Sequence, residues 1–134
     1  MAINLQITTR ASTRIDNTLV FAGSVERPVN FEITGLKYEL VASIANAANA
    51  VIYNTHLTAF TYMIVESDEN VQIALTDTNS AAFSIWLRGT GITNRYGVPF
   101  QLANDNTTST FVINTVQAFN TSGNTAKVHI LVLN

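Results

Sequence analysis

The chain is dominated by runs in which every second residue is apolar, which is the period of a β-strand with one buried face. In the first quarter of the sequence such runs lie at residues 3–7, 19–25 and 29–33. Further runs lie at residues 60–64, 71–75, 83–87, 111–119 and 126–132. The pattern predicts a series of short strands and no long amphipathic helix.

Three groups of turn-forming residues separate pairs of these runs and predict β-hairpins. They lie at residues 66–70, 76–80 and 120–124. Each group is rich in Asp, Asn, Ser, Thr or Gly, which favour tight turns between strands. We expect each turn to join two neighbouring strands of the same sheet.

One segment supports two interpretations. In residues 36–53 the apolar positions fit helical spacing at Leu40, Ile44, Ala47 and Val51, but Leu36 to Ile44 also alternate. Residues 45–50, rich in Ala and Asn, could form a turn. We prefer strand, loop, strand here and keep the helix as the alternative.

Strand count and spacing predict an all-β fold in a single domain that covers residues 1–134. About 8–10 short antiparallel strands with frequent turns are typical of a two-sheet β-sandwich or a jelly roll. In the last run, residues 126–133, both faces carry apolar residues. This strand is therefore predicted to lie centrally in its sheet or to be covered.

Charge is scarce. Only 12% of the residues are charged, about half of the roughly 25% typical of soluble domains, and the polar positions are filled largely by 18 Thr and 15 Asn. Neutral amides and hydroxyls cost less to bury than unpaired charges. The composition favours a protein that packs against copies of itself, as a dimer or trimer, or against a large partner; the alternative is a neutral monomer.

The balance of charge argues against several partners. Net charge is −2 and the seven basic residues are scattered, so we expect no nucleic-acid partner, which would require clustered Lys and Arg. There is no cysteine, hence no disulfide and no thiolate metal site. No signal peptide and no membrane-spanning run is recognised, so no membrane partner is expected.

No arrangement of residues points to catalysis. There is no G-x-S-x-G motif, and the two histidines, His56 and His129, are more typical of hydrogen-bonded structural residues than of a catalytic pair. Acidic residues cluster at residues 66–69 without the spacing of a calcium loop, and we interpret residues 66–70 as a solvated turn. We predict a protein that is not an enzyme, with no metal and no cofactor.

One constellation favours a contact role. Trp86, Arg88, Arg95 and Tyr96 lie close together around a glycine-rich loop at residues 88–99, and these residue types dominate interface hot spots. We predict them as partner-binding residues. Trp86 and Tyr96 could also form a platform that stacks on sugar rings, so carbohydrate is a possible ligand. The alternative is that Trp86 is a core residue and Arg88 is solvated.

The chain resembles, over its full length, the small β-sandwich structural proteins of tailed-phage virions. The features are the start MAINLQI, the absence of cysteine, the Thr-rich run at residues 107–114 and the closing residues 128–134. The resemblance implies a capsid decoration (cement) protein or a tail or fibre component, forming a homo-oligomer on a capsid or tail protein. It also implies location in the virion, with assembly in the host cytoplasm. A carbohydrate- or receptor-binding β-sandwich is the alternative function.

Overall fold

The computed structural model describes residues 3–7, 13–15, 18–21, 29–33, 35, 37–57, 62–77, 82–103 and 113–134. Strands make up 64% of the structure and the described residues contain no helix, which confirms the predicted all-β class. Accordingly, these ranges contain no helix long and apolar enough to cross a membrane.

Twelve strands lie in the described ranges. In chain order they are β1 (Ile3–Ile7), β2 (Thr13–Ile15), β3 (Thr18–Phe21), β4 (Val29–Ile33), β5 (Lys37–Ile44), β6 (Asn49–Asn54), β7 (Tyr62–Ser67), β8 (Val71–Asp77), β9 (Ala82–Leu87), β10 (Phe100–Ala103), β11 (Ile113–Asn120) and β12 (Ala126–Leu133).

The chain divides into two compact units, residues 1–34 and 35–134. In the first unit β1 pairs antiparallel with β4, from Ile3 opposite Ile33 to Ile7 opposite Val29. β2 pairs with β3. The predicted run at residues 19–25 continues past Phe21 into residues outside the described ranges. One domain over residues 1–134 stays a prediction.

The second unit is a jelly roll. Its eight strands form two antiparallel four-stranded sheets that pack face to face, sheet 1 in the order β10-β7-β12-β5 and sheet 2 in the order β6-β11-β8-β9. Successive strands pass from one sheet to the other at every connection except β8 to β9. Two four-stranded sheets wound in this way define the jelly-roll arrangement.

The core lies between the sheets and follows directly from the alternation. Along β8 and β12 every second residue is buried, beginning with Val71 and Ala126 respectively. The inward side chains of both sheets meet in one apolar cluster that includes Tyr53, Met63 and Ile130. β12 lies between β7 and β5, as the two apolar faces of that run predicted.

Two of the three predicted hairpins are wrong. β7 belongs to sheet 1 and β8 to sheet 2, and β11 and β12 are likewise divided, so residues 66–70 and 120–124 connect the two sheets. Only β8 and β9 pair as neighbours, although residues 78–80 of their turn lie outside the described ranges. Alternation and turn residues show where the chain reverses but carry no information about which strand it then pairs with.

Within the segment 36–53, the described residues 37–53 form strand, loop, strand, as preferred above. β5 and β6 flank a short turn in which Ala47 has a positive φ of 61°. The turn is held by backbone hydrogen bonds to the end of β11, in which Ala47 N–H donates to the Asn120 carbonyl and Asn120 N–H donates to the Ala48 carbonyl. These hydrogen bonds to a distant strand hold the segment as strand, turn, strand and not as a helix.

Candidate functional site

The outer face of sheet 2 carries no charged residue at its described strand positions. Strand register places twelve side chains on it: Asn49, Val51 and Asn54 from β6; Thr115, Gln117 and Phe119 from β11; Gln72, Ala74 and Thr76 from β8; and Ala82, Ser84 and Trp86 from β9. We call this set the neutral face. Each residue of β8 or β11 in it is partly or fully exposed, while the residues between them are buried in the core.

Trp86 stands at the end of one row of the neutral face. Register aligns Asn49, Phe119, Gln72 and Trp86 across the four strands. Trp86 is 64% exposed and Phe119 is 38% exposed. The expectation that Trp86 could be a core residue is therefore wrong, because β9 turns this position away from the core.

A groove of about 320 Å³ opens beside Trp86. Its lining includes Leu87, Arg88 and Asn70. The side-chain oxygen Oδ1 of Asn70 accepts a hydrogen bond from Gly89 N–H at 3.1 Å, which orients the carboxamide. The groove thus joins an exposed indole to one amide and one guanidinium group.

The loop at residues 88–99 is anchored by Asp68, which is fully buried. Asp68 Oδ1 accepts a hydrogen bond from Lys127 N–H at 2.7 Å, and Oδ2 accepts one from Asn94 N–H at 2.8 Å. Its backbone carbonyl accepts a further bond from Gly91 N–H. The prediction that residues 66–70 form a solvated turn is wrong at Asp68, because this carboxylate joins the connection between the sheets to the loop and to β12.

Two glycines let the loop approach other backbone closely. A Cβ at Gly89 would collide with the Asp68 carbonyl oxygen, and a Cβ at Gly97 would collide with that of Arg88. Gly91 instead has a positive φ of 73°, which L side chains rarely adopt. Gly89 and Gly97 therefore pack closely against this chain's own backbone.

Tyr96 lies on the other side of the jelly roll. Its ring is 5.8 Å from that of His129, which projects from the outer face of sheet 1. Burial first, and then the negative charges of Glu66 and Asp68, raise the pKa of Tyr96. Tyr96 is half-buried and covers part of the sheet 1 surface.

His129 connects three strands of sheet 1. Its Nδ1 is 2.9 Å from Glu66 on β7, and its Nε2 is 3.0 Å from Glu39 on β5. Two carboxylate acceptors suit a ring that donates from both nitrogens, which is the protonated form. Burial acts to lower the pKa of His129, but the hydrogen bonds and charges of the two carboxylates outweigh it and raise that pKa above its usual 6.5. The predicted structural role for this histidine agrees with these bonds.

His56 is also held by neighbouring groups. Its ring stacks on Tyr38 with centroids 4.0 Å apart, and its Nδ1 accepts a hydrogen bond from Asn54 N–H. His56 and His129 therefore take part in two separate sets of contacts. Within the described ranges, no three His, Asp or Glu residues are arranged to hold a metal ion.

The four predicted contact residues do not form one site. Trp86 belongs to the neutral face, Tyr96 covers sheet 1, and Arg88 and Arg95 are exposed in the loop between them. The prediction that Trp86 and Tyr96 form one platform is therefore wrong, because the two rings lie on opposite sides of the jelly roll. Sequence reasoning missed Phe119 as the ring that shares a row with Trp86, because the two residues lie on strands that pair through β8 and are 33 positions apart.

At one side of the jelly roll, which we call the open side, both sheets end in a strand that has no further described strand beside it. β9 is the last strand of sheet 2 and β10 the last of sheet 1, and the chain that links them lines a second groove of about 280 Å³. Its lining includes Ile85, Trp86, Val98, Pro99 and Phe100. Val98 is 66% exposed. Arg88 is the one charged residue among the described residues of this lining.

Comparison with known proteins gives little to add. No family model matches the chain, and the search of curated proteins finds no match. A solved structure from work on Bacillus endospore appendages, described as a family of disulfide-linked pili, is similar over 75% of this chain and 85% of that one. The two share 14% sequence identity with a TM-score of 0.47.

Proposed function

We propose that the protein is a non-enzymatic structural protein that assembles with copies of itself through the open side of the jelly roll. The observation that carries the proposal is the absence of charge along β9 and β10, the two end strands on this side. The sequences AFSIWL in β9 and FQLA in β10 contain no charged residue and no proline. End strands of this kind are templates for pairing with another chain, and monomeric proteins usually protect them with charges or proline.

The groove between these strands provides a complementary apolar contact. Val98 is exposed in its lining, together with the partly buried Pro99 and Phe100. A strand or loop of a second copy would bury these side chains and extend a sheet at the same time. Because only Arg88 among the described lining residues is charged, such burial carries a small desolvation cost.

The finer proposal is that the assembly belongs to a virion, as a capsid decoration protein or a tail or fibre component, with a dimer or trimer as the building block. It rests on the resemblance described above. Its test is co-sedimentation of the purified protein with capsid or tail particles carrying their cognate structural proteins. Particles that leave the protein in the supernatant would contradict this finer proposal and leave self-assembly standing.

Self-assembly is tested by light scattering across a wide concentration range. We expect a mass that is a multiple of the 14.6 kDa chain. The variant Val98→Lys should shift the protein to the single-chain mass, because it places a charge in the lining of the groove. The matched control is Val41→Lys, since Val41 is also exposed, at 54%, but lies on β5 at the far edge of sheet 1.

Two results would contradict self-assembly. The first is a single-chain mass at every concentration. The second is an equal loss of assembly in Val98→Lys and Val41→Lys, which would show that assembly does not depend on the open side. Thermal unfolding of both variants checks that the fold is intact.

A further inference from the structure

The row that crosses the neutral face combines two aromatic rings with amides between and beyond them. Phe119 and Trp86 lie on β11 and β9 with Gln72 of β8 between them, and Asn49 of β6 ends the row. Since neighbouring strands are separated by about 4.8 Å, the two aromatic positions are about 10 Å apart. The row is thus an extended track that runs across the strands.

The chemistry of this track suits an uncharged, hydroxyl-rich ligand. All twelve positions of the neutral face are apolar, amide or hydroxyl residues. The carboxamides of Gln72 and Gln117 each donate and accept hydrogen bonds, as sugar hydroxyls require. Aromatic rings provide flat apolar surfaces for the C–H faces of sugar rings. None of the twelve positions holds a cation, and Arg88 in the groove beside Trp86 is a single positive charge, so a phosphate backbone would meet little counter-charge there.

The size of the face argues against a second copy as its occupant. Four strands, each about 4.8 Å wide, and three rows, each about 7 Å long, cover roughly 400 Å². A stable protein interface needs about 800 Å² on each partner. A short segment of polysaccharide needs far less, and the groove beside Trp86 lies next to the end of the row.

We infer that the row Asn49, Phe119, Gln72 and Trp86 binds an uncharged polysaccharide chain that lies across the strands of sheet 2. Two sugar rings stack on Trp86 and Phe119, and their hydroxyls bond to the amides of the row. Trp86 projects from the face of the sheet, whereas the self-assembly proposed above uses its edge. The two contacts are therefore compatible.

The experiment exploits the single tryptophan of the chain, whose fluorescence reports directly on the site. The probes are cellohexaose, laminarihexaose, maltohexaose and chitohexaose, with a sulfated heparin oligosaccharide as the charged comparison. We expect at least one neutral probe to produce a saturable change in tryptophan fluorescence. By calorimetry Trp86→Ala and Phe119→Ala should each weaken its binding about tenfold or more, the loss expected of a central contact.

Two controls make the loss specific. Tyr96→Ala removes an aromatic ring from the opposite side of the jelly roll and should leave binding within about twofold of the parent. If Phe119→Ala unfolds, Phe119→Leu keeps the apolar volume but removes the aromatic ring. Light scattering of Val98→Lys with the same probe separates the two proposals, because loss of assembly should leave glycan binding intact.

Four results would overturn the inference. No neutral probe changes the fluorescence; binding survives both Trp86→Ala and Phe119→Ala; only the sulfated probe binds, and Arg88→Ala abolishes that binding; or Trp86→Ala and Phe119→Ala dissolve an oligomer that the sugars do not affect. The last result would instead make the neutral face an interface between copies of the chain.

Discussion

The two outer faces of the jelly roll differ in charge and in how much of their surface the chain's own residues bond to or cover. The outer face of sheet 1 contains charged residues on β5, β7 and β12, including Glu39, Glu66 and His129, and these bond to one another. The loop at residues 88–99 brings Tyr96 against that face and is anchored through buried Asp68. The neutral face has no charge and keeps Trp86 and Phe119 exposed. Side chains on the first face should therefore matter for stability, and those on the second for contacts with other molecules.

The largest effect is expected at Asp68. Asp68→Asn replaces one carboxylate oxygen with an N–H₂ group that would face a backbone N–H donor, and should lower the free energy of unfolding by about 2–3 kcal/mol. Urea unfolding measures it. Glu69→Gln is the matched control, because Glu69 makes its side-chain hydrogen bond at the exposed Asn124, and it should stay within about 0.5 kcal/mol. Equal, small losses in both variants would show that the Asp68 anchor is unimportant.

A second loss of stability is expected at Gly97, where the end of the loop passes close to its beginning at Arg88 and Gly89. Gly97→Ala forces a Cβ against the Arg88 carbonyl oxygen and should lower the unfolding free energy by about 2 kcal/mol. Thr93→Ala, an exposed position in the same loop, provides the comparison and should change stability little. A Gly97→Ala variant as stable as the parent would mean that the loop repacks without cost.

The His129 cluster predicts a pH dependence. The pKa of His129 is raised above 6.5. Its contribution to the free energy of unfolding is therefore fully present below pH 6.5 and is lost as the pH rises through the raised pKa. Hydrogen bonds from Lys37 and His129 lower the pKa of Glu39 from 4.5, so that contribution is present above pH 4.5 and is lost as pH falls through the lowered value. Stability should therefore be greatest between about pH 4.5 and 6.5.

His129→Gln tests this dependence. At pH 6 it should cost about 1 kcal/mol, and it should flatten the fall in stability above pH 6.5. Unfolding free energies measured at several pH values for the parent and the variant provide the check. The prediction fails if the two curves run parallel, because the pH dependence would then come from another group.

The smallest effect on stability is expected on the neutral face. Gln117→Lys places a charge at a partly exposed position of β11 and should change the unfolding free energy by no more than about 0.5 kcal/mol. Trp86→Ala should behave similarly, since its side chain is mostly in solvent. A loss of 2 kcal/mol or more in either variant would erase the contrast between the faces.

The candidate site could be predicted only in part. Trp86 and the glycine-rich loop were found from residue type and spacing, because large aromatics, arginines and glycines are visible in any sequence. The partners of Trp86 could not be found in this way. Phe119 reaches the same row through β8, and that alignment depends on the register of three strands.

The corners between the sheets show the same limit. Asp68 and Asn120 occur in segments rich in turn residues, and such segments are usually solvated. Both side chains are buried, and Asn120 Nδ2 donates to the Ile44 carbonyl at 2.8 Å and to that of Asn124 at 2.7 Å. Their burial follows from the chain crossing between sheets there, so that backbone groups left without a strand partner are satisfied by a side chain.

By itself the sequence determined the all-β class, the positions of most strands in the described ranges, the side of each strand that faces the core and the scarcity of charge. These properties are local, because alternation and composition act residue by residue. Tertiary structure alone decided which strands are neighbours, and with it the burial of Asp68, the separation of Tyr96 from Trp86 and the row that Trp86 shares with Phe119. Strand pairing joins residues far apart in the chain, and an alternating pattern fits many partners equally well until the core is packed.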